Sequence, residues 1–285
     1  MRDWLERLAW GQPAVLDCGR DAYQDTIEMR SRIAREVFRT MSLHDETFRL
    51  LGVMPSKSPS AMNELDEAER RLGVSMPASV RDWYERDSAI RILAEHSNDD
   101  PPIKVPDFAL TTWHSKTLLP IRNENQGVCT WGVELDGSDD PPVRVDVDMD
   151  GREWWLQAPS FSKYVFSCVW DYVKVFQQSA VVAAQNDELS QTAIHKLGTL
   201  FEAELTTHSW PGHTQYRFHR KDHSVLIWDS EGQADWYVAA ANLASLQDAL
   251  ESVWKVDSVG ESLYGLDDVG REALEQFRQR ERLRS

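Results

Sequence analysis

The chain has 285 residues, 41% of them hydrophobic, with 12 tryptophans, so it can bury a real core and is not a disordered polypeptide. Its formal net charge of -16 lacks the basic surplus that phosphate binding needs; this argues against nucleic acid and suits either a basic protein partner or plain solubility. The three cysteines, Cys18, Cys129 and Cys168, have no C-x-x-C spacing and give neither a disulfide framework nor a zinc ribbon.

Residues 1–10, MRDWLERLAW, have no long apolar run behind a basic start, so no secretory signal is expected. No stretch reaches the ~20 apolar residues that cross a bilayer, and a soluble, cytoplasmic chain is the expectation. Residues 24–51 place Ile27, Ala34, Val37, Phe38 and Met41 near one helical face. Residues 54–60 break that pattern, and Ser60 suits the cap of a following helix. Residues 64–86 then predict two helices. In the first, Leu65, Ala68 and Leu72 share an apolar stripe, and Gly73 suits the left-handed residue that ends it. Pro77 suits the first turn of the second, where its missing N–H costs nothing, and Val80, Trp83 and Tyr84 share a face.

From residue 127 the period becomes two. Cys129, Trp131, Val133 and Leu135 point one way, with Val128, Thr130 and Glu134 opposite. Residues 142–149 alternate as well, after a turn at 136–141, and residues 153–157 make a short aromatic strand. Consecutive strands with short turns favour an antiparallel sheet. Residues 161–178 return to helix, with Phe161, Tyr164, Cys168, Tyr172 and Phe176 broadly on one side and Cys168 as a core residue. Residues 181–188 read as a linker. A helix follows with Leu189, Ala193, Leu197, Leu200 and Phe201, then strands near 216–219, 225–228 and 236–239. A helix with Leu243, Leu246, Leu250 and Val253 comes next, and a polar last helix at 267–284 is anchored by Leu274 and Phe277.

Glu69, Leu72, Gly73, Pro77, Trp83 and Tyr84 together resemble the opening signature of the SUKH superfamily: an acidic helix, Leu-Gly, an apolar residue before Pro, then a helix with aromatics. Met76 stands where Leu is common, and residues 87–90 replace the Asn-Gly that often follows. Glu124-Asn125-Gln126-Gly127 with Trp131, then Asp140-Pro141-Pro142-Val143 and Phe161-Ser162, resemble the later part of the same family. The resemblance covers about residues 60–178. That superfamily includes the yeast cell-wall-assembly regulator and many bacterial immunity proteins. The resemblance therefore implies a binding protein without catalysis, in which Gly73 and Pro77 shape the scaffold and touch no partner.

Sites with chemistry are weak by comparison. Asp146-x-Asp148-x-Asp150-Gly151 matches the first half of a calcium loop, but Gln157 stands where a bidentate acid belongs. On a strand the same carboxylates, with Arg144, form a solvated face opposite Val143, Val145, Val147 and Met149, which is the favoured reading. His219 and His223 are four apart, a zinc spacing on a helix, but they flank a hairpin turn, and His208 and His213 flank a loop, so neither pair makes a zinc site. Ser262 misses a nucleophile elbow by one residue. Of the adjacent Trp154 and Trp155, one should enter the core and the other be exposed or covered by a neighbour.

Residues and resemblance together give the expectation of an α+β fold, mainly an antiparallel sheet packed against helices. A SUKH-like domain with an N-terminal helical extension would span 1–183, and a smaller α+β unit 184–285. The expected function is a bacterial immunity protein that neutralises a cognate toxin, with no cofactor, no metal and no enzyme activity. The alternative is an intracellular regulatory or scaffolding protein without a toxin. The expected partner surface is Asp139, Asp140, Asp146, Asp148 and Asp150 with Trp155, facing a basic toxin domain; the region of Trp228 and Trp236 is the next candidate.

Overall fold

Glycine and proline punctuate the first helices, and the backbone follows them closely. The computed structural model describes residues 42–86, 89–95, 100, 102–147, 150–208, 213–230, 232–257 and 259–284. Helix α1 (Leu43–Leu50) is the end of the helix expected at 24–51, whose earlier part lies outside the described residues. Helix α2 (Pro59–Leu72) starts at Pro59, so Ser60 lies inside it rather than at its cap. It stops where Gly73 takes φ 68° and donates its N–H to the Glu69 carbonyl. Helix α3 (Ala78–Tyr84) begins one residue later than predicted. Pro77 is its cap, with an extended ψ of 149°, and the Pro77 carbonyl accepts the Arg81 N–H. Helix α4 (Ala89–Glu95) completes this layer.

Strands β1 (Thr111–Trp113), β2 (Lys116–Asn123), β3 (Thr130–Glu134), β4 (Val143–Asp146) and β5 (Trp154–Ala158) form an antiparallel meander in chain order. Its inner face sets Leu119, Ile121, Val133 and Val143 against Leu65, Val80, Trp83 and Tyr84 from the helices. The Trp83 ring stacks on Phe48 at 4.7 Å. Of the face expected to be apolar, Val133 is buried and Trp131 and Leu135 pack partly buried on this cluster, but Thr130 and Glu134 on the opposite face are buried as well, so the strand is covered on both sides.

Helix α5 (Phe161–Asp171) is apolar nearly all round because it lies between two layers. Phe161, Tyr164 and Val165 join the core of the first sheet, while Phe166 and Trp170 join a second cluster with Val181, Leu226 and Ala239. A π-helical turn (Tyr172–Phe176) continues it, closed by the Gln177 N–H on the Tyr172 carbonyl at 2.7 Å.

The segment expected as a linker is instead strand β6 (Ala180–Asn186). Its short apolar run is covered on both faces, which removes the alternation that would have marked it as a strand. The boundary expected near 183 falls within this strand, and residues Leu43–Ser285 group as one compact unit. After it come α6 (Gln191–Leu200), β7 (Glu202–Ala203), β8 (Thr207–His208), β9 (Thr214–Arg220), β10 (His223–Ser230) and β11 (Gln233–Ala240). The chain ends with α7 (Leu243–Val253), α8 (Val259–Ser262), β12 (Tyr264–Gly265) and α9 (Asp268–Arg284).

The second sheet has the order β12-β6-β11-β10-β9-β7, with β8 also on β9. One face buries Val182, Val225, Ile227, Trp236 and Val238 against Leu197, Leu250, Leu274 and Phe277 of the surrounding helices. The other face meets the end of α5. The pairings among the described strands are antiparallel, and the fold is α+β. No helix among the described residues is long and apolar enough to cross a membrane.

Candidate protein-binding surface

Among the described residues the expected acidic stripe is broken, because Asp146 is buried. Asp139 is exposed in the β3–β4 turn, and its carbonyl accepts the Ser79 N–H at 2.9 Å, tying that turn to α3. Asp140 is half-buried at the start of α5, where it accepts the Ser162 N–H at 2.9 Å and the Ser162 hydroxyl. Burial alone would raise its carboxyl pKa; the Ser162 bonds outweigh it and hold the carboxyl below its usual value. Asp146 is buried at the far end of β4, accepting the Gly151 N–H at 2.8 Å and so closing the next turn. Asp150 is exposed there and pairs with Arg152 at 3.2 Å; Asp148 lies outside the described residues. The carboxylates thus split between the two ends of β4.

The cause is what covers the outward face of this sheet. Asp146 stands between Thr130 and Trp154 in the strand register. Trp154 is buried over Gly132, where a Cβ would come within 2.9 Å of its ring. Trp113 packs 5.0 Å from the Arg144 guanidinium, and Glu134 pairs with both Arg144 and Lys116. Trp155 is the exposed member of the pair, at 40%. Among the described residues no group of His, Cys, Asp and Glu could hold a metal ion.

The signature residues build scaffold. Glu69 accepts the Met76 N–H at 2.7 Å through one oxygen and an Arg81 N–H at 2.8 Å through the other, stapling α2 to α3 across Gly73 and Pro77. Trp83 and Tyr84 are core residues; Leu72 is only partly buried. Asn125, Gln126 and Gly127 form the exposed β2–β3 turn, with Gly127 at φ 72°. The Asn125 N–H reaches Asp100, which pairs with the buried Arg122. That guanidinium lies 4.5 Å over the Trp131 ring and donates to the Tyr164 hydroxyl at 3.1 Å. The Trp131 indole N–H donates to Gln157 at 3.2 Å, and the Pro142 carbonyl accepts the Glu134 N–H. Burial pushes the Cys129 thiol up to about 12, and Cys168 packs partly buried beside Arg122. Cys18 lies outside the described residues.

The second sheet presents a different surface. Trp236 is fully buried, whereas Trp228, on the opposite face of the β10–β11 hairpin, is 36% exposed. Phe176, at the end of the π-helical turn, is 46% exposed and lies 6.2 Å from the Trp228 ring. The Tyr237 ring is 5.4 Å from both. Asp235 stands opposite Trp228 and accepts amide N–H groups from Gln185 and Gln233, each at 2.9 Å. Burial, then the nearby Asp235 and Tyr264, raise the Tyr237 hydroxyl pKa. The result is three aromatic rings with a polar rim. The sequence pointed to Trp228 but missed Phe176 and Tyr237. Alternation along β11, with Trp236 and Val238 inward, was the signal for Tyr237; Phe176 depends on a π-helical turn that periodicity does not reveal.

Comparison of the chain with protein-family profiles, with curated proteins and with solved structures gives no match.

Proposed function

We propose that this chain is a non-catalytic protein-binding module of SUKH type, an immunity protein that caps a basic toxin domain in the bacterial cytoplasm. The observation that carries the proposal is the exposed pair Phe176 and Trp228, backed by the partly buried Tyr237 ring and rimmed by Asp235, Gln185 and Gln233. Tryptophan and tyrosine anchors inside a polar rim are what protein interfaces use for most of their binding energy. An apolar patch with such a rim marks an interaction site more often than chance exposure does. The net charge of -16 supports a basic partner, since opposite charge speeds capture. Support for the SUKH scaffold comes from the Glu69 staple around Gly73 and Pro77 and from the meander that follows.

The test is co-purification of the tagged chain from its native host, mass spectrometry of what is bound, and co-expression with the partner found. The expected partner is a basic domain whose toxicity is relieved by the wild-type chain and not by Trp228→Ala. A bound partner with no toxicity would sink the immunity reading and favour the regulatory or scaffolding one.

A further inference from the structure

The last helix runs against the charge of the rest of the chain. Arg271, Glu275, Arg278 and Arg282 recur at spacings of four, three and four, which puts them on one face of α9. Between that face and the edge strand β12 lies an open cavity of about 430 Å³, lined by these four with Tyr264 and Leu274. Gly265 permits the close approach of strand and helix, since a Cβ there would lie 2.4 Å from the Arg271 backbone nitrogen. Arg278 is held in place by donating to the Leu263 carbonyl at 2.7 Å. Leu274 is buried and floors the cavity, and Tyr264, 53% exposed, forms a wall.

We propose that this cavity binds a small organic anion, a carboxylate or phosphate carried on a planar body. The oxyanion would meet the guanidinium groups, whose forked N–H donors match both chemistries. The planar body would pack on Tyr264 and Leu274. The volume lies within the range of small-molecule sites. Three cations face one lining carboxylate, Glu275, in a chain of net charge -16. Arg271 also pairs with Asp268 at the rim, but Asp268 is almost fully exposed, and such pairs are weak enough for an entering anion to displace. This site goes beyond the protein-partner reading and does not depend on it.

Titration calorimetry of the full chain with phenyl phosphate, benzoate, inorganic phosphate and benzyl alcohol tests the proposal. Saturable binding of phenyl phosphate or benzoate is expected, weakening with salt, with no binding of the neutral alcohol. The stronger of the two aromatic anions identifies the source as phosphate or carboxylate, and inorganic phosphate shows how much the planar body adds. Arg271→Glu with Arg282→Glu should weaken binding by at least about tenfold while leaving the melting temperature unchanged, and Tyr264→Ala should weaken the aromatic anions selectively. If neither aromatic anion saturates in the millimolar range, or if binding survives the double charge reversal, the proposal is wrong.

Discussion

Glu69 shows how a residue that reads as helix surface charge becomes structure. Its two oxygens hold the Met76 N–H and Arg81, so the link between α2 and α3 is fixed by one side chain. Glu69→Ala should cost about 1–3 kcal/mol in a denaturant titration, and Glu69→Gln less, because the amide oxygen can still accept the Met76 N–H. The sequence showed that Asp146 alternates with valines, but not which face is covered. That is decided by Trp154 on the next strand and by Trp113, distant in the chain. Gly132 was a readable hint, since a glycine inside a strand often marks a close neighbour. His44 carries a pH effect. Burial lowers its pKa below 6.5, outweighing its bond to the Ser79 carbonyl at 2.9 Å. The unfolded chain therefore takes up this proton first, so the contribution of His44 is intact above about pH 6.5 and is lost as pH falls through the lowered value. His44→Gln can keep a donor for Ser79 but does not titrate. The stability of wild type relative to this variant should shrink between pH 7 and pH 5. The raised carboxyls of Glu204 and Asp229 act with the opposite sign and cancel in that difference. A constant difference would remove His44 as the source.

Among the elements, α2 and α3 were legible because Gly73 and Pro77 impose their boundaries by backbone sterics. The strands β3 to β5 and β9 to β11 were legible from their alternating sequences, whereas β1, β2 and α4 carry no pattern that the sequence reading picked out. Strand β6 and helix α5 were misread. Strand β6 is buried on both faces, so its composition reads as a short apolar run of either kind. Helix α5 was read as amphipathic, but it serves two cores, and its end depends on packing against β10 and β11. Asp171 anchors that end. It forms two bonds of 2.6 Å to Arg217, which is almost wholly buried and also donates to the Leu205 carbonyl and to Thr207. Asp171→Ala removes the carboxylate and leaves a buried guanidinium without its counter-charge. Urea unfolding should report a loss of about 3–5 kcal/mol; a loss below about 1 kcal/mol would mean that the pair contributes little to holding α5 on the second sheet.

At the scale of the molecule, the aromatic surface is assembled from both sheets' supporting elements. Phe176 comes from the turn after α5, and Trp228 and Tyr237 come from adjacent strands of the second sheet. Linear sequence separates these residues, which is why the expected site fell on the contiguous acidic run instead. In the proposed reading the charge of -16 would set the rate at which a basic partner arrives, and the aromatic rings how long it stays. The most direct measurement is the affinity and association rate of the co-purified partner for wild type and for Trp228→Ala, at low and high salt. Trp228→Ala should weaken binding by about 30-fold, or about 2 kcal/mol, with an unchanged melting temperature, and the wild-type association rate should fall as salt rises. Equal affinity of the two proteins, or an association rate that ignores salt, would contradict the account.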